Sequence, residues 1–158
     1  METVYIETTI PSYLAAHPSR ETVMAQHQKF THEWWTSERA RYRLFTSFLV
    51  RAEASRGDAG AAARRMPYLD NIPDLDVPLE TDALSRNLIK LLKIPRKAEA
   101  DATHLALTIL HRITYLLTWN CTHLANPVLQ KELIEYCQYH QLHVPVICTP
   151  ELLLPASP

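Results

Sequence analysis

Glu7, Glu53, Asp101 and Asn120 are the residues of this sequence whose types and positions suit holding a divalent cation. Each stands at an edge between an apolar run and a polar stretch. Glu7 directly follows Val4-Tyr5-Ile6. Asn120 comes just after Tyr115–Thr118. Glu53 lies in SFLVRAEASRG, a helical stretch that begins where the apolar run Tyr42–Thr46 ends. Asp101 falls in the opening turn of another helical stretch, where the positive end of the helix dipole favours a carboxylate. Hard cations such as Mg²⁺ and Mn²⁺ prefer oxygen ligands of this kind, and beside a phosphate they suit phosphodiester hydrolysis. Without a cation, gathered carboxylates repel one another and raise the pKa of at least one. Taken singly, each acid also has a plain explanation. Asp101 could be an ordinary helix-start charge, Glu53 a solvated partner of Arg56, and Glu7 an exposed strand end. Spacing alone leaves both readings open.

The elements that must position these residues follow from the hydropathy pattern. Val4–Ile6 reads as a buried strand, Tyr42–Thr46 as a second, Ile72–Val77 as a weak third, Tyr115–Thr118 as a fourth and Val144–Thr149 as a fifth. Between them, helical stripes run through Val23, His27, Phe30 and Trp34, through Leu84, Leu88, Leu91 and Leu92, through Ala98, Ala102, Leu105 and Ile109, and through Leu129, Leu133 and Tyr136. Gly57 and Gly60, the only two glycines, sit together in SRGDAG and mark one helix end and the next helix start. Prolines punctuate the other boundaries. Strands alternating with helices imply a parallel sheet covered on both faces, a three-layer α/β fold. In such sheets ligands bind beyond the C-terminal ends of the strands, where the four site candidates recur.

Composition bounds the rest. A chain of 158 residues with 47% hydrophobic content suits one folded unit, taken as residues 1–158. The 16 Lys and Arg against 17 Asp and Glu give no global nucleic-acid signature, though a local basic patch is compatible with this. Basic residues cluster as Arg39, Arg41 and Arg43, as Arg64-Arg65, and as Lys90, Lys93, Arg96 and Lys97; the last pair leads into Asp101 and could touch a substrate phosphate. Three cysteines without framework spacing fit a reducing cytosol, and neither a secretion signal nor a membrane span is visible, so a cytoplasmic location is expected.

Three further signals have ordinary explanations. Cys137, His140 and His143 carry zinc-ligand chemistry but lack a matching fourth ligand, so a polar helix end is expected. Cys121 and His123 neighbour the site, and a buried cysteine at a helix start is favoured over a nucleophile. Trp119 could stack on a nucleobase, with packing the preferred account. The helix around Val23–Trp35 carries Met24 and Trp35 beyond its core stripe, which points to a homodimer interface.

The chain resembles the PIN domain family, and within it the VapC-like toxins of type II toxin–antitoxin systems. The resemblance rests on VYIETTIPSYL, TSFLVRAEASRGD, AEADATHLALTILHRITYLLTWNCTHLAN and ICTPELL, and spans nearly the whole chain. It implies a parallel sheet of about five strands flanked by helices, and an acidic pocket that binds Mg²⁺ or Mn²⁺ and cuts single-stranded RNA. It implies that the family acids fall on Glu7, Glu53 and Asp101, that the fourth acidic position is Asn120, and that Thr118 is the hydroxyl residue before it. A cognate antitoxin and a two-fold dimer are the partners it suggests. Two departures stand out: Glu7 is a methylene longer than the usual Asp, and Asn120 is neutral. The competing expectation is therefore a PIN-fold module that binds RNA or a protein without cutting. A DNA-directed flap-type nuclease ranks last, because 158 residues leave little room for its added helical arch.

Overall fold

Val4, Tyr5 and Ile6 are fully buried, and the strand they form, β1 (Thr3–Ile6), has a parallel neighbour on each side. One neighbour is β2 (Arg43–Phe45), with Val4 opposite Leu44. The other is β3 (Tyr115–Leu117), with Tyr5 opposite Leu116. Beyond β3 lies β4 (Val146–Cys148), so the sheet order is β2-β1-β3-β4. This computed structural model describes residues 1–156, and the last two residues of the expected 1–158 unit lie outside that description.

The sheet has four strands rather than about five. The expected weak strand at Ile72–Val77 is reduced to one parallel bridge between Thr46 and Asp74. Thr46 N donates to the Pro73 carbonyl at 3.0 Å and Leu75 N to the Thr46 carbonyl at 2.8 Å. Pro73 has no N–H to extend the ladder, and Asp74 instead pairs with Arg51 at 2.8 Å, outside the sheet. Proline and a solvated carboxylate keep this segment from pairing further.

Helices α1 (Thr9–Ala15) and α2 (Thr22–Ser37) connect β1 to β2. Helices α3 (Phe48–Ala54), α4 (Ala59–Arg65), α5 (Thr81–Leu92) and α6 (Glu99–Leu110) lie between β2 and β3, and α7 (Pro127–Tyr139) joins β3 to β4. The right-handed crossover that parallel strands favour puts α1 and α2 on one face of a sheet in this order and the helices after β2 on the other; α1 packs on α2, and α5 on both α6 and α7. The three-layer α/β reading holds.

Local sequence explains most of these elements. Leu84, Leu88 and Leu92 bury one face of α5, each contributing roughly 1.5–3 kcal/mol. Gly57 (φ 80°) supplies the left-handed residue after α3, and Asp58 caps α4 by accepting from Ala61 N at 2.8 Å. Helix α6 is buried nearly all round from Ala102 to Ile109, wider than its expected stripe, and Ala98 precedes it in a 3-10 turn (Arg96–Ala98).

Helix α2 turns a different face inward than its apolar stripe implies. Gln28, Thr31, Trp34 and Trp35 are buried, whereas Val23 is 59% exposed. The reason is polar: Gln28 donates to the His17 carbonyl and accepts from Ser19 N, docking the helix on the loop before it. Trp35 is therefore not surplus apolar surface. It packs edge-on against Tyr68 under the Arg39 guanidinium.

Candidate active site

Chain order reverses direction across the sheet between β1 and β3, which opens a crevice at their C-terminal ends. The residues that leave these two strands are Glu7 and Thr118. Glu7 N still donates to the Leu117 carbonyl at 3.2 Å, and Thr118 N to the Cys148 carbonyl at 3.0 Å. Backbone pairing thus fixes where both side chains start.

Glu7 is 96% buried, and one of its oxygens is heavily engaged. Oε2 accepts from Thr9 N at 3.0 Å, Thr9 Oγ1 at 2.6 Å and Thr118 Oγ1 at 2.8 Å. Glu53 reaches the crevice from the last turn of α3, whose start is capped by Ser47. Its Oε1 accepts from Thr8 Oγ1 at 2.7 Å and lies 2.6 Å from His104 Nε2. Asp101, in the first turn of α6, accepts on Oδ2 from Asn120 Nδ2 at 3.0 Å and lies 3.1 Å from His123 Nδ1. In all three acids every protein hydrogen bond falls on one oxygen. Glu7 Oε1, Glu53 Oε2 and Asp101 Oδ1 are left for something else.

Four of the five expected site residues form one polar network, and Glu53 stands beside it on Thr8 and His104. Thr118 Oγ1 donates to Glu7 and accepts from Asn120 N at 2.9 Å, and Asn120 holds Asp101. Asn120 Oδ1 also accepts from His123 N at 3.0 Å, so the amide holds Asp101 through its NH₂ and keeps a second lone pair on Oδ1. The tightest group of possible ligand atoms is Glu7, Glu53 and His104, mutually within 4.8 Å. Asp101 is outside that group, one helical turn before His104 on α6.

His104 is the functional candidate that sequence reasoning missed. It is fully buried, with Nε2 on Glu53 and Nδ1 2.7 Å from the Tyr5 hydroxyl, which in turn lies 2.7 Å from Ser47 Oγ. With both ring nitrogens occupied, it holds Glu53 in place from behind. The spacing Asp101-Ala-Thr-His104 carried the signal, since residues three apart share a helix face. The apolar residues around His104 made it look like core.

Electrostatics agree with a charged pair. Burial pushes the Glu53 carboxyl up, but the His104 hydrogen bond and charge, with the Thr8 hydroxyl, outweigh it and hold Glu53 below the usual carboxylate range. Burial likewise opposes charging His104, yet its bond to Glu53 and the charges of Glu7, Glu53 and Asp101 hold it above the usual histidine range. Burial, above all, keeps Tyr5 a neutral phenol.

The donor set fits a hard divalent cation. Three carboxylates each present a free oxygen, and among the described residues none pairs with Lys or Arg. Among the described residues, His104 and His123 are the basic side chains in direct contact with them.

The set-aside signals also find their places. Cys137 is buried in α7, His140 packs on the Tyr136 ring, and His143 Nε2 bonds the Ile113 carbonyl, so they form no metal cluster among the described residues. Cys121 is exposed in the turn after Asn120 rather than buried at a helix start, and Cys137 and Cys148 are buried free thiols. Trp119 is not an open stacking surface. It is 8% exposed, bonds Thr31 Oγ1 through Nε1 at 2.7 Å, and lies under the His27 ring.

No protein-family model and no curated protein matches this sequence. Solved structures do match. One is VapBC2 from Rickettsia felis bound to a DNA fragment from their promoter, at TM-score 0.57 and 11% identity, covering 93% of this chain and 98% of that one. Another is Mycobacterium tuberculosis VapC20, a Sarcin-Ricin loop cleaving toxin, at TM-score 0.51 and 14% identity, covering 76% of this chain and 92% of that one. At such low identity the likeness is one of architecture. A parallel sheet in the order β2-β1-β3-β4, flanked by helices and carrying carboxylates at its switch point, gives this chain the PIN-like fold of the VapC toxins.

Proposed function

We propose that this chain is a divalent-metal-dependent endoribonuclease that cuts single-stranded RNA and serves as the toxin of a toxin–antitoxin pair. One observation carries the reading: carboxylates from three separate elements converge at the strand switch, each with one oxygen fixed and the other free. When bound, Mg²⁺ or Mn²⁺ supplies Lewis-acid chemistry that polarises a phosphodiester and stabilises its leaving oxygen. Glu7, Glu53 and Asp101 would hold the ion. Thr9 and Thr118 fix Glu7, His104 and Thr8 fix Glu53, and Asn120 and His123 fix Asp101. Arg96 and Lys97 are exposed in the turn that leads into α6, within the chain segment best placed to meet substrate phosphates.

Similarity to a VapBC complex and to a toxin that cleaves the Sarcin-Ricin loop supports this reading. An antitoxin segment carrying Arg would suit the pocket, because a guanidinium pairs bidentately with carboxylates. A homodimer remains part of the proposal, with exposed Val23 and Met24 of α2 at its interface and Trp35 no longer among them. A cytoplasmic location, where RNA substrates occur, goes with the same reading, and no described helix is long and apolar enough to cross a membrane.

Asn120 favours a second reading, a module that binds RNA without cutting, because its neutral amide brings no fourth charge. Defined single-stranded RNAs incubated with Mn²⁺ or Mg²⁺, with and without chelator, separate the two. Cleavage abolished by chelator supports the nuclease. Binding without cleavage in either metal replaces it with the module.

A further inference from the structure

Tyr13, His27 and Trp119 form an aromatic group beside the carboxylates that the proposed hydrolysis does not use. Trp119 sits between Thr118 and Asn120, and its backbone N–H donates to Thr9 Oγ1 at 2.8 Å, the same hydroxyl that donates to Glu7. The base of the group is thus tied directly to the site. Tyr13 lies one turn beyond Thr9 on α1, so both project from one helix face. The His27 ring, from α2, stacks on Trp119 with centroids 4.0 Å apart and planes 16° from parallel. The Tyr13 ring stacks on the same indole at 5.7 Å and 29°, and the Tyr13 and His27 centroids are 6.1 Å apart.

Burial is graded across the group. Trp119 is 8% exposed, while Tyr13 and His27 are both partly exposed. Core aromatics seldom leave polar atoms without partners, and here several are left. The Tyr13 hydroxyl and both His27 ring nitrogens have no hydrogen-bond partner among the described residues; Thr31 Oγ1 donates to the His27 backbone carbonyl, not to its ring. Two part-exposed rings with free polar edges, mounted on a fixed indole next to an acidic pocket, match the chemistry of a nucleobase seat. Stacking on the flat faces is tolerant of sequence, and the free edges can select among bases.

We infer that Tyr13 and His27, carried on Trp119, seat a base of the single-stranded RNA next to the phosphate that a metal ion at Glu7, Glu53 and Asp101 would hold. This inference rests on the nuclease reading and names the part of the site that grips the strand. The indole itself supports the seat and does not touch the base. Charge works in the same direction, because an acidic pocket repels phosphates in the absence of metal, and base stacking is an attraction that charge does not cancel.

The test measures binding and cleavage separately. Fluorescein-labelled 12-nucleotide oligo-U and oligo-A, and a 12-nucleotide abasic ribose-phosphate strand, are titrated against wild type, Tyr13→Ala, His27→Ala, Tyr13→Phe and His27→Phe, with chelator present. Cleavage of the same base-bearing strands is followed in Mn²⁺, and melting confirms that each variant is folded. The expected result is that wild type prefers base-bearing to abasic strand by about tenfold or more, that each Ala variant loses most of this preference, and that the Phe variants recover it. In cleavage, the Ala variants raise KM with kcat nearly unchanged. A wild type that cuts RNA but binds the abasic strand equally well overturns the seat and leaves the nuclease standing. Ala variants that keep the full preference do the same. A wild type that neither binds nor cuts these strands overturns both.

Discussion

His104 Nε2 and Glu53 Oε1 lie 2.6 Å apart across the interface between α6 and α3, with His104 fully buried and Glu53 partly so. Behind His104, the Tyr5 hydroxyl and Ser47 Oγ continue the contact into the core. A carboxylate with a free second oxygen is thereby anchored to a strand and to two helices at once.

That anchor predicts a stability profile with pH in the metal-free protein. His104 is held above its ordinary 6.5, so its contribution is complete below that pH and is lost as pH rises through its folded value. Glu53 is held below its ordinary 4.5, so its contribution is complete above that pH and is lost as pH falls through its folded value. The melting-temperature difference between wild type and His104→Gln, in chelator, should peak between these two values and shrink on either side. A difference flat from pH 4 to 9 would show that the pair is not ionic.

His104→Ala should cost about 2–4 kcal/mol, from the emptied core volume and from a Tyr5 hydroxyl left with Ser47 alone. Denaturant unfolding measures this. His104→Gln, which keeps one polar bond, should recover part of the loss. Equal destabilisation by both variants would argue against a specific bond to Glu53.

The three acids should separate folding from activity. In Glu7→Gln, Glu53→Gln and Asp101→Asn the amide oxygen can keep accepting the bonds now made by one carboxylate oxygen, while an NH₂ group replaces the free one. Each variant should fold, bind Mn²⁺ more weakly and lose at least ~100-fold in cleavage, since each tenfold is ~1.4 kcal/mol of barrier. Calorimetry with Mn²⁺ beside an RNA assay would decide, and full metal affinity in all three would remove the ion from this crevice.

Asn120→Asp replaces a 3.0 Å amide-to-carboxylate bond with two facing carboxylates. The apo protein should melt at a lower temperature than wild type, and Mn²⁺ should restore more stability to the variant than to its parent. An apo variant as stable as wild type would mean that Asn120 and Asp101 part freely.

Thiol reactivity should follow burial. Cys137 is pushed up to about 11 and Cys148 to about 12 by burial, so neither supplies thiolate near neutral pH. Cys121 is exposed, although partial burial and the charge of Glu151 raise it too. An aromatic disulfide reagent should titrate one thiol in the native protein, faster as pH rises, and three after unfolding. More than one in the native state would contradict the buried positions.

The sequence by itself determined the alternation of strands and helices, and with it the parallel sheet and the strand ends where Glu7, Thr118 and Asn120 emerge. Those signals are local: an apolar triplet, a helix period, a capping residue, a glycine needing positive φ. Tertiary structure decided what depends on direction and distance. Ile72–Val77 looked like a strand, but a ladder needs N–H groups in register, and Pro73 and the Asp74–Arg51 pair removed that possibility. The inward face of α2 was set by Gln28 docking on a loop, which no stripe of apolar residues records. His104 became part of the site only when the fold brought it against Glu53 of α3, because a histidine among apolar residues shows its role only through the carboxylate it meets.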